Sequence, residues 1–358
     1  MPSNENDTRN NKEPNRKVDN SGSDSLQSSI DLDDSLFPVD RYKPIKKLGQ
    51  GALGAVYLCR DVHLSKIVAV KCLHMTTDET AVSFQQEARI ASRLSHDNIV
   101  KTLDFGTSKS GRPFMVMEYF EGRSLEDLIE QNGKLSESAG LEIFLQLCSS
   151  LQHLHTHKIF HRDLKPSNIL VNFDKADVPI TKLIDFGLSK STIQDRSGIE
   201  VQGRTIVGTP AYMSPDQVEG NTFDARSEIY SLGCVLYETF TGQPPFTGET
   251  ALEILNKHIH ETPIPLSETA PELASSIGHV IDKCLKKDRA ERYQSIAAVI
   301  DDWNALQSGN ATAFDNRLST SEQKKRLKPL ALSAVAALTI VVAGVSSYLL
   351  SPPQSSSP

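Results

Sequence analysis

The sequence predicts an α+β fold in two lobes, the first rich in strands and the second in helices. Three observations carry that expectation. Short β-branched runs, broken by glycines and charged turns, fill the stretch that begins at Arg41. After about Glu121 apolar residues recur at helical spacing instead. With 358 residues the chain also has room for such a pair of lobes and for flanking segments.

Residues 1–40 are dominated by Asn, Ser, Asp and Glu, and large apolar residues are sparse until Leu32. Such a segment buries too little apolar surface to offset its ordering entropy, so a disordered tail is expected. The first lobe spans 41–120. Within it YKPIKKLG, AVYLCRD, IVAVKCL and PFMVMEYF read as strands. SFQQEARIASRLS reads as a helix, with Phe84, Ala88, Ile90 and Leu94 at its apolar positions. The second lobe spans 121–303. Its helical stretches are SLEDLIEQ, ESAGLEIFLQLCSSLQHLHTH, SEIYSLGCVLYETFTG, ALEILNKHI, LASSIGHVIDKCLKK and IAAVIDDWNAL. Residues 304–328 form a polar linker that ends in Lys324, Lys325, Arg326 and Lys328. Residues 329–350 follow, and Leu330 to Leu350 carry no charge. As a helix that run would span about 31 Å, which matches a hydrocarbon core of about 30 Å. A single transmembrane anchor is therefore expected. The basic cluster before it puts the two lobes on the cytoplasmic side, with a short tail, 351–358, beyond the anchor. Ser333/Ala337 and Ala343/Ser347 are small-residue pairs through which two anchors could associate in a transient homodimer.

Composition excludes several classes. A net charge of −7 argues against a nucleic-acid binder held by phosphate contacts. Five cysteines, an odd count with no C-x-x-C pair, argue against a disulfide framework or a zinc ribbon. The first forty residues hold no apolar run, so no leader peptide is expected.

The chemistry lies in the motifs. Gly49, Gly51 and Gly54 fall between two strands. Closely spaced glycines let backbone amides approach phosphate oxygens without a Cβ in the way. A dinucleotide-binding turn would need a helix after the third glycine and an acidic residue about twenty positions on. Here a strand follows, and Lys71 stands at that distance. A Walker A loop is also excluded, because no Gly-Lys-Ser/Thr closes the motif. Lys71 ends an apolar strand and needs an anionic partner, such as a phosphate or Glu87 on the next helix. Further on comes His161-Arg162-Asp163-Leu164-Lys165-Pro166-Ser167-Asn168, and then Asp185-Phe186-Gly187. Asn168 and Asp185 offer the hard oxygens that suit Mg²⁺.

These motifs, in this order, resemble those of the eukaryotic-type (Hanks-type) protein Ser/Thr kinases, over roughly residues 42–303. The resemblance implies a bilobal protein-kinase-like fold and transfer of the γ-phosphoryl group of ATP to Ser or Thr hydroxyls of proteins. It assigns Asp163 to the proton of the substrate hydroxyl and Lys165 to the transferring phosphate. Lys71, paired with Glu87, would grip the α/β-phosphates. Asn168 and Asp185 would hold Mg²⁺. The loop of Leu48, Gly49, Gln50, Gly51, Ala52, Leu53, Gly54, Ala55 and Val56 would cover the nucleotide. Adenine would meet the backbone of Glu118 and Phe120, with Met117 as gatekeeper. Lys165 and the segment Gly208-Thr209-Pro210-Ala211-Tyr212-Met213-Ser214-Pro215 are similar to those of Ser/Thr-specific members. The anchored layout is similar to that of bacterial members, which implies a single-pass protein of a bacterial inner membrane; a eukaryotic tail-anchored membrane fits the C-terminal segment as well.

Arg162 can pair with a phosphate on the loop between Asp185 and Asp216. Thr205 resembles the family's usual site, and Ser197 and Thr192 are weaker candidates. The resemblance thus implies autophosphorylation at Thr205. Two positions depart from the family. Asp216 stands where Glu is usual, and its expected partner is Arg292; Glu228 stands where Asp is usual, and would hold the catalytic-loop backbone. His153 and His157 have a zinc-compatible spacing, but they lie on a helix leading into the catalytic loop, and packing is the stronger reading. A pseudokinase would lack Lys71, Asp163, Asn168 or Asp185, and all four are present.

Overall fold

β-Branched and aromatic runs of the first lobe form five antiparallel strands: β1 (Tyr42–Gln50), β2 (Gly54–Asp61), β3 (Lys66–Leu73), β4 (Thr102–Thr107) and β5 (Pro113–Glu118). The computed structural model describes residues 41–51, 54–73, 77–185, 199–201, 204–206, 208–273 and 275–308. The sheet order is β1-β2-β3-β5-β4. Tyr57, Cys59, Val68 and Val70 pack one face with Tyr42 and Phe114. The other face receives helix α1 (Asp78–Ala91), which inserts Phe84 and Ala88 against Met115 and Met117. Of the apolar positions expected for this helix, Leu94 is buried but lies beyond its end, and Ile90 is only half-buried. Arg41 and Tyr42, at the start of β1, both reach Asp104 on β4, so the two edges of the sheet curl toward each other.

The second lobe is built from α2 (Leu125–Asn132), α3 (Glu137–Thr156), α4 (Pro215–Val218), α5 (Ala225–Thr241), α6 (Ala251–His260), α7 (Leu266–Thr269), α8 (Ser275–Cys284) and α9 (Ile296–Gln307). Helix α5 is buried almost all round, which makes it the central post of the lobe. Asp224 caps its start. Gly242 ends it at φ 84°, where a Cβ would meet the carbonyl oxygen of Gly133 at 2.0 Å. Between α3 and α5 lie short strands that helical spacing does not reveal: β7 (Ile169–Phe173) and β8 (Pro179–Leu183), which pair with each other. Strand β6 (Arg123–Ser124) pairs with β7, and β9 (Ile199–Val201) pairs with β10 (Arg204–Ile206).

The expected tail 1–40, linker 304–328 beyond residue 308, anchor 329–350 and tail 351–358 lie outside the described residues, as do Ala52, Leu53, Phe186, Gly187, Thr192 and Ser197. Among the described residues no helix is long and apolar enough to cross a membrane.

Candidate active site

Lys71 sits on the central strand β3, in register with Val56 on one side and Met115 on the other. Helix α1 starts with a capping box between Thr77 and Thr80 and presents Glu87 to the lysine. The Lys71 Nζ lies 3.9 Å from Glu87 Oε1 and 2.7 Å from Asp185 Oδ1. Burial works against the charge on Lys71, but Asp185 and Glu87 more than reverse it and hold its pKa above the ordinary lysine value. The lysine is therefore a fixed cation at the junction of the lobes.

Helix α3 delivers the chain to the loop from His161 to Asn168. His161 is fully buried. Its Nε2–H donates to the carbonyl of Ile184 at 2.9 Å, and its Nδ1 accepts the Asp163 N–H at 3.3 Å. Burial holds its pKa below the ordinary histidine value, so the ring is a neutral strut between the loop and the segment before Asp185. Arg162 has a left-handed backbone, φ 66°, and so does Asp185, φ 52°. Such conformations cost about 1–3 kcal/mol for non-glycine residues and must be held by their surroundings. At Arg162 the holder is Glu228, whose Oε1 accepts the Arg162 N–H at 2.9 Å while Oε2 lies 2.6 Å from His155 Nε2.

The loop side chains converge. Asn168 donates from Nδ2 to the Asp163 carbonyl at 2.8 Å and to Asp163 Oδ2 at 3.0 Å. Lys165 Nζ stands 3.4 Å from Asp163 Oδ2 and donates to Thr209 Oγ1 at 3.3 Å. Because its amide N–H groups face Asp163, Asn168 keeps its Oδ1 as the acceptor. Asn168 Oδ1 and the Asp185 carboxylate are the hard oxygens that fit Mg²⁺, an ion that usually takes one or two protein oxygens and completes its shell with water and substrate phosphates.

The glycine loop is the tip of the β1–β2 hairpin, with Gln50 opposite Ala55 and Gly49 opposite Val56. A Cβ at Gly49 or Gly51 would meet nothing within 4 Å, so space is open above the tip. Gly54 is different: a Cβ there would lie 2.2 Å from the carbonyl oxygen of Cys72. Leu48 is exposed at the same hairpin. At the end of β5, Glu118 donates its N–H to the Lys101 carbonyl at 2.9 Å and pairs its carboxylate with Lys182 at 2.6 Å. Lys182 also lies 5.9 Å from the ring of Phe120. Met117 is buried beside Glu87, Ile184 and Asp185 around a cavity of about 10 Å³.

Asp163, Lys165, Asn168, Lys71, Glu87 and Asp185 are thus brought into one cluster between the lobes. Thr205 lies on β10 opposite Glu200, and its side chain is outside the described part. Arg162 places its guanidinium 5.7 Å from the ring of Phe223, with Nε buried and without a hydrogen-bond partner among the described residues. At the departures from the family, Arg292 Nη1 meets Asp216 Oδ2 at 2.6 Å, and Glu228 reaches the loop backbone. The contacts of His155 and of the Thr209 hydroxyl leave no local sequence signal, because their partners are 73 and 44 positions away. His153 and His157 pack with ring centroids 4.6 Å apart and ring planes tilted by 48°.

The protein kinase domain family matches residues 42–304. The chain belongs to that family. It is 35% identical over 294 residues to the serine/threonine-protein kinase PknB of Mycolicibacterium smegmatis, covering 80% of this chain and 46% of that protein. The PknB of Mycobacterium leprae is 37% identical over 276 residues, covering 75% and 43%. The chain therefore spans about half the length of the curated relatives it matches. The crystal structure of Rad53 residues 1–466 in complex with AMP-PNP aligns with a TM-score of 0.61 at 28% identity, covering 74% of this chain and 65% of that one.

Proposed function

We propose that this protein is a Ser/Thr protein kinase that uses MgATP and is tethered to the membrane by residues 329–350, with its two lobes, 41–303, in the cytoplasm. The observation that carries the reading is the convergence of Asp163, Lys165 and Asn168 with Lys71, Glu87 and Asp185 across the lobe junction.

In this reading the substrate hydroxyl donates its proton to the Asp163 carboxylate as its oxygen bonds the γ-phosphorus. The bond from that phosphorus to the β,γ-bridging oxygen breaks, and ADP leaves. Lys165 faces the charge of the transferring group, and Lys71 that of the α/β-phosphates. Asn168 and Asp185 would hold Mg²⁺, which would supply charge neutralisation on the phosphate oxygens. The backbone from Leu48 to Val56 covers the phosphates, and Glu118 and Phe120 orient the adenine. Thr209, bonded to Lys165, keeps that lysine at the loop.

Autophosphorylation at Thr205 is part of the proposal. The buried Arg162 Nε, without a hydrogen-bond partner among the described residues, supports it, since a phosphate on the loop would give that guanidinium an anionic partner. Thr205→Ala should lower activity toward an added protein by about tenfold or more, and unchanged specific activity would remove Thr205 from the scheme. Membrane tethering is tested by fractionation of cells. The full chain should pellet with membranes and a chain ending at residue 308 should not; recovery of the full chain in the soluble fraction would refute the anchor.

A further inference from the structure

Three histidine rings stand in a row where the lobes are fastened together, and the active site uses none of them. His96 follows α1, and its ring centroid lies 5.1 Å from that of His153 on α3; the His157 ring continues the row. The fastening is polar. His96 Nδ1 accepts the Asn98 N–H at 3.1 Å, which leaves the ring proton on Nε2 for Ser149 Oγ of α3, also at 3.1 Å. Asn98 donates from Nδ2 to Gln146 Oε1 of α3 at 2.9 Å and to the Thr181 carbonyl of β8 at 3.0 Å. Its own carbonyl accepts the Leu183 N–H at 2.9 Å. The segment after α1 is thereby held on two elements of the second lobe. This arrangement suits neutral rings. A proton on His96 Nδ1 would displace the Asn98 N–H. His153 Nε2 is buried and has no hydrogen-bond partner among the described residues, so a cation there would be poorly solvated. Burial holds the pKa of both rings below the ordinary histidine value. For His96, Asp97 offsets part of that effect and Lys182 of β8 adds to it. For His153, His157 and His96 both add to it.

We propose that this row is an acid-sensitive latch between the lobes: proton uptake by His96 and His153 breaks the His96 bonds, sets like charges against each other, and releases the segment after α1 from α3. The direction follows from linkage. The released rings take up protons near pH 6.5, and the latched rings only at lower pH. The latch is therefore fully closed above about pH 6.5 and opens as the pH falls below it. Asp97 is the one carboxylate that favours the charged rings, and Lys182, itself paired with Glu118, opposes it. Opening would free the end of α1 and weaken the hold of Glu87 on Lys71, so that acid lowers activity before the chain unfolds. This consequence, unlike the latch itself, rests on the proposed kinase reading.

The test is amide hydrogen exchange of the full chain without nucleotide, at about pH 7.5 and about pH 5, corrected for the intrinsic pH dependence of exchange. Protection of residues 92–99 should fall by about tenfold or more at the lower pH, relative to that of α9. In His153→Gln/His157→Gln the fall should shrink to less than about threefold. His157→Gln alone changes an exposed residue and should give an intermediate fall, so the test stands even if the double variant does not fold. Ring titration by NMR is the second readout. The His153 midpoint should lie below pH 6.5 in the wild-type chain and move up in His157→Gln, which a merely structural role for His157 would not cause. Protection of residues 92–99 that is independent of pH would overturn the proposal. So would an equal fall in the wild-type chain and the variants, which would assign the effect to other groups. Neither readout depends on catalysis, so failure of the latch and failure of the kinase reading are distinguishable.

Discussion

Glu228 carries a heavier structural load than its single carboxylate suggests. It is fully buried, accepts the Arg162 N–H and lies against His155 Nε2. Arg162 holds an unfavourable left-handed backbone beside Asp163, and this contact keeps it there. Glu228→Leu should leave a buried N–H and an imidazole without their acceptor, at about 1–3 kcal/mol each. The expected fall in melting temperature is roughly 4–12 °C, read by calorimetry. Lys71 differs, because its role is electrostatic. Lys71→Met removes the cation that meets both Asp185 and Glu87. It should lower kcat/KM for ATP by about 10²–10³-fold. A Lys71→Met enzyme of near wild-type kcat/KM would show that the phosphates are gripped elsewhere.

At the scale of elements, α5 ties the second lobe together through two polar contacts. On one side Lys287 donates to the Tyr230 hydroxyl at 3.2 Å, and that hydroxyl lies 2.9 Å from His258 Nδ1 on α6. Burial first, and the charge of Lys287 second, push the His258 pKa down to about 3. The unfolded chain binds a proton at this histidine near pH 6.5 and the folded one does not, so stability is full above about pH 6.5. It should fall by up to about 1.4 kcal/mol per pH unit from this group as pH drops toward 3. His258→Gln should flatten part of that slope in denaturant unfolding followed across pH; an unchanged slope would assign it to other groups. On the other side Arg292 donates from Nη1 to the Arg226 carbonyl of α5 at 3.1 Å and forms a buried ion pair with Asp216 on α4, which links both helices to the segment before α9. Arg292→Met should cost about 3–5 kcal/mol, because it leaves the Asp216 charge short of its main partner. The principal helices of the second lobe were legible in the sequence because their apolar residues recur at helical spacing. Strands β7 and β8 were not, since each is five residues long and is held by pairing across the sheet rather than by a pattern of its own. Leu94 shows a second limit: an apolar residue in phase with a helix is buried by tertiary contacts after the helix has ended.

At the scale of the whole molecule, the first lobe brings Lys71 and Glu87 and the second brings Asp163, Lys165, Asn168 and Asp185. The motif residues were legible as residues, because their order along the chain is specific. Their geometry was not, and neither were the partners that set it. His155 on Glu228, Thr209 on Lys165 and Lys182 on Glu118 are joined across 44 to 73 positions of sequence, as their separations of 73, 44 and 64 attest. No local pattern marks such pairs. The account rests on one claim, that Asp163 drives MgATP-dependent phosphoryl transfer to Ser and Thr. The direct measurement incubates the purified full chain and its Asp163→Asn variant with Mg²⁺ and γ-labelled ATP, followed by phosphoamino-acid analysis. The account predicts phosphoserine or phosphothreonine from the wild-type chain and a rate lower by about 10²–10⁴-fold in the variant. Equal labelling of both proteins, or no labelling of a folded chain that binds ATP, would contradict it.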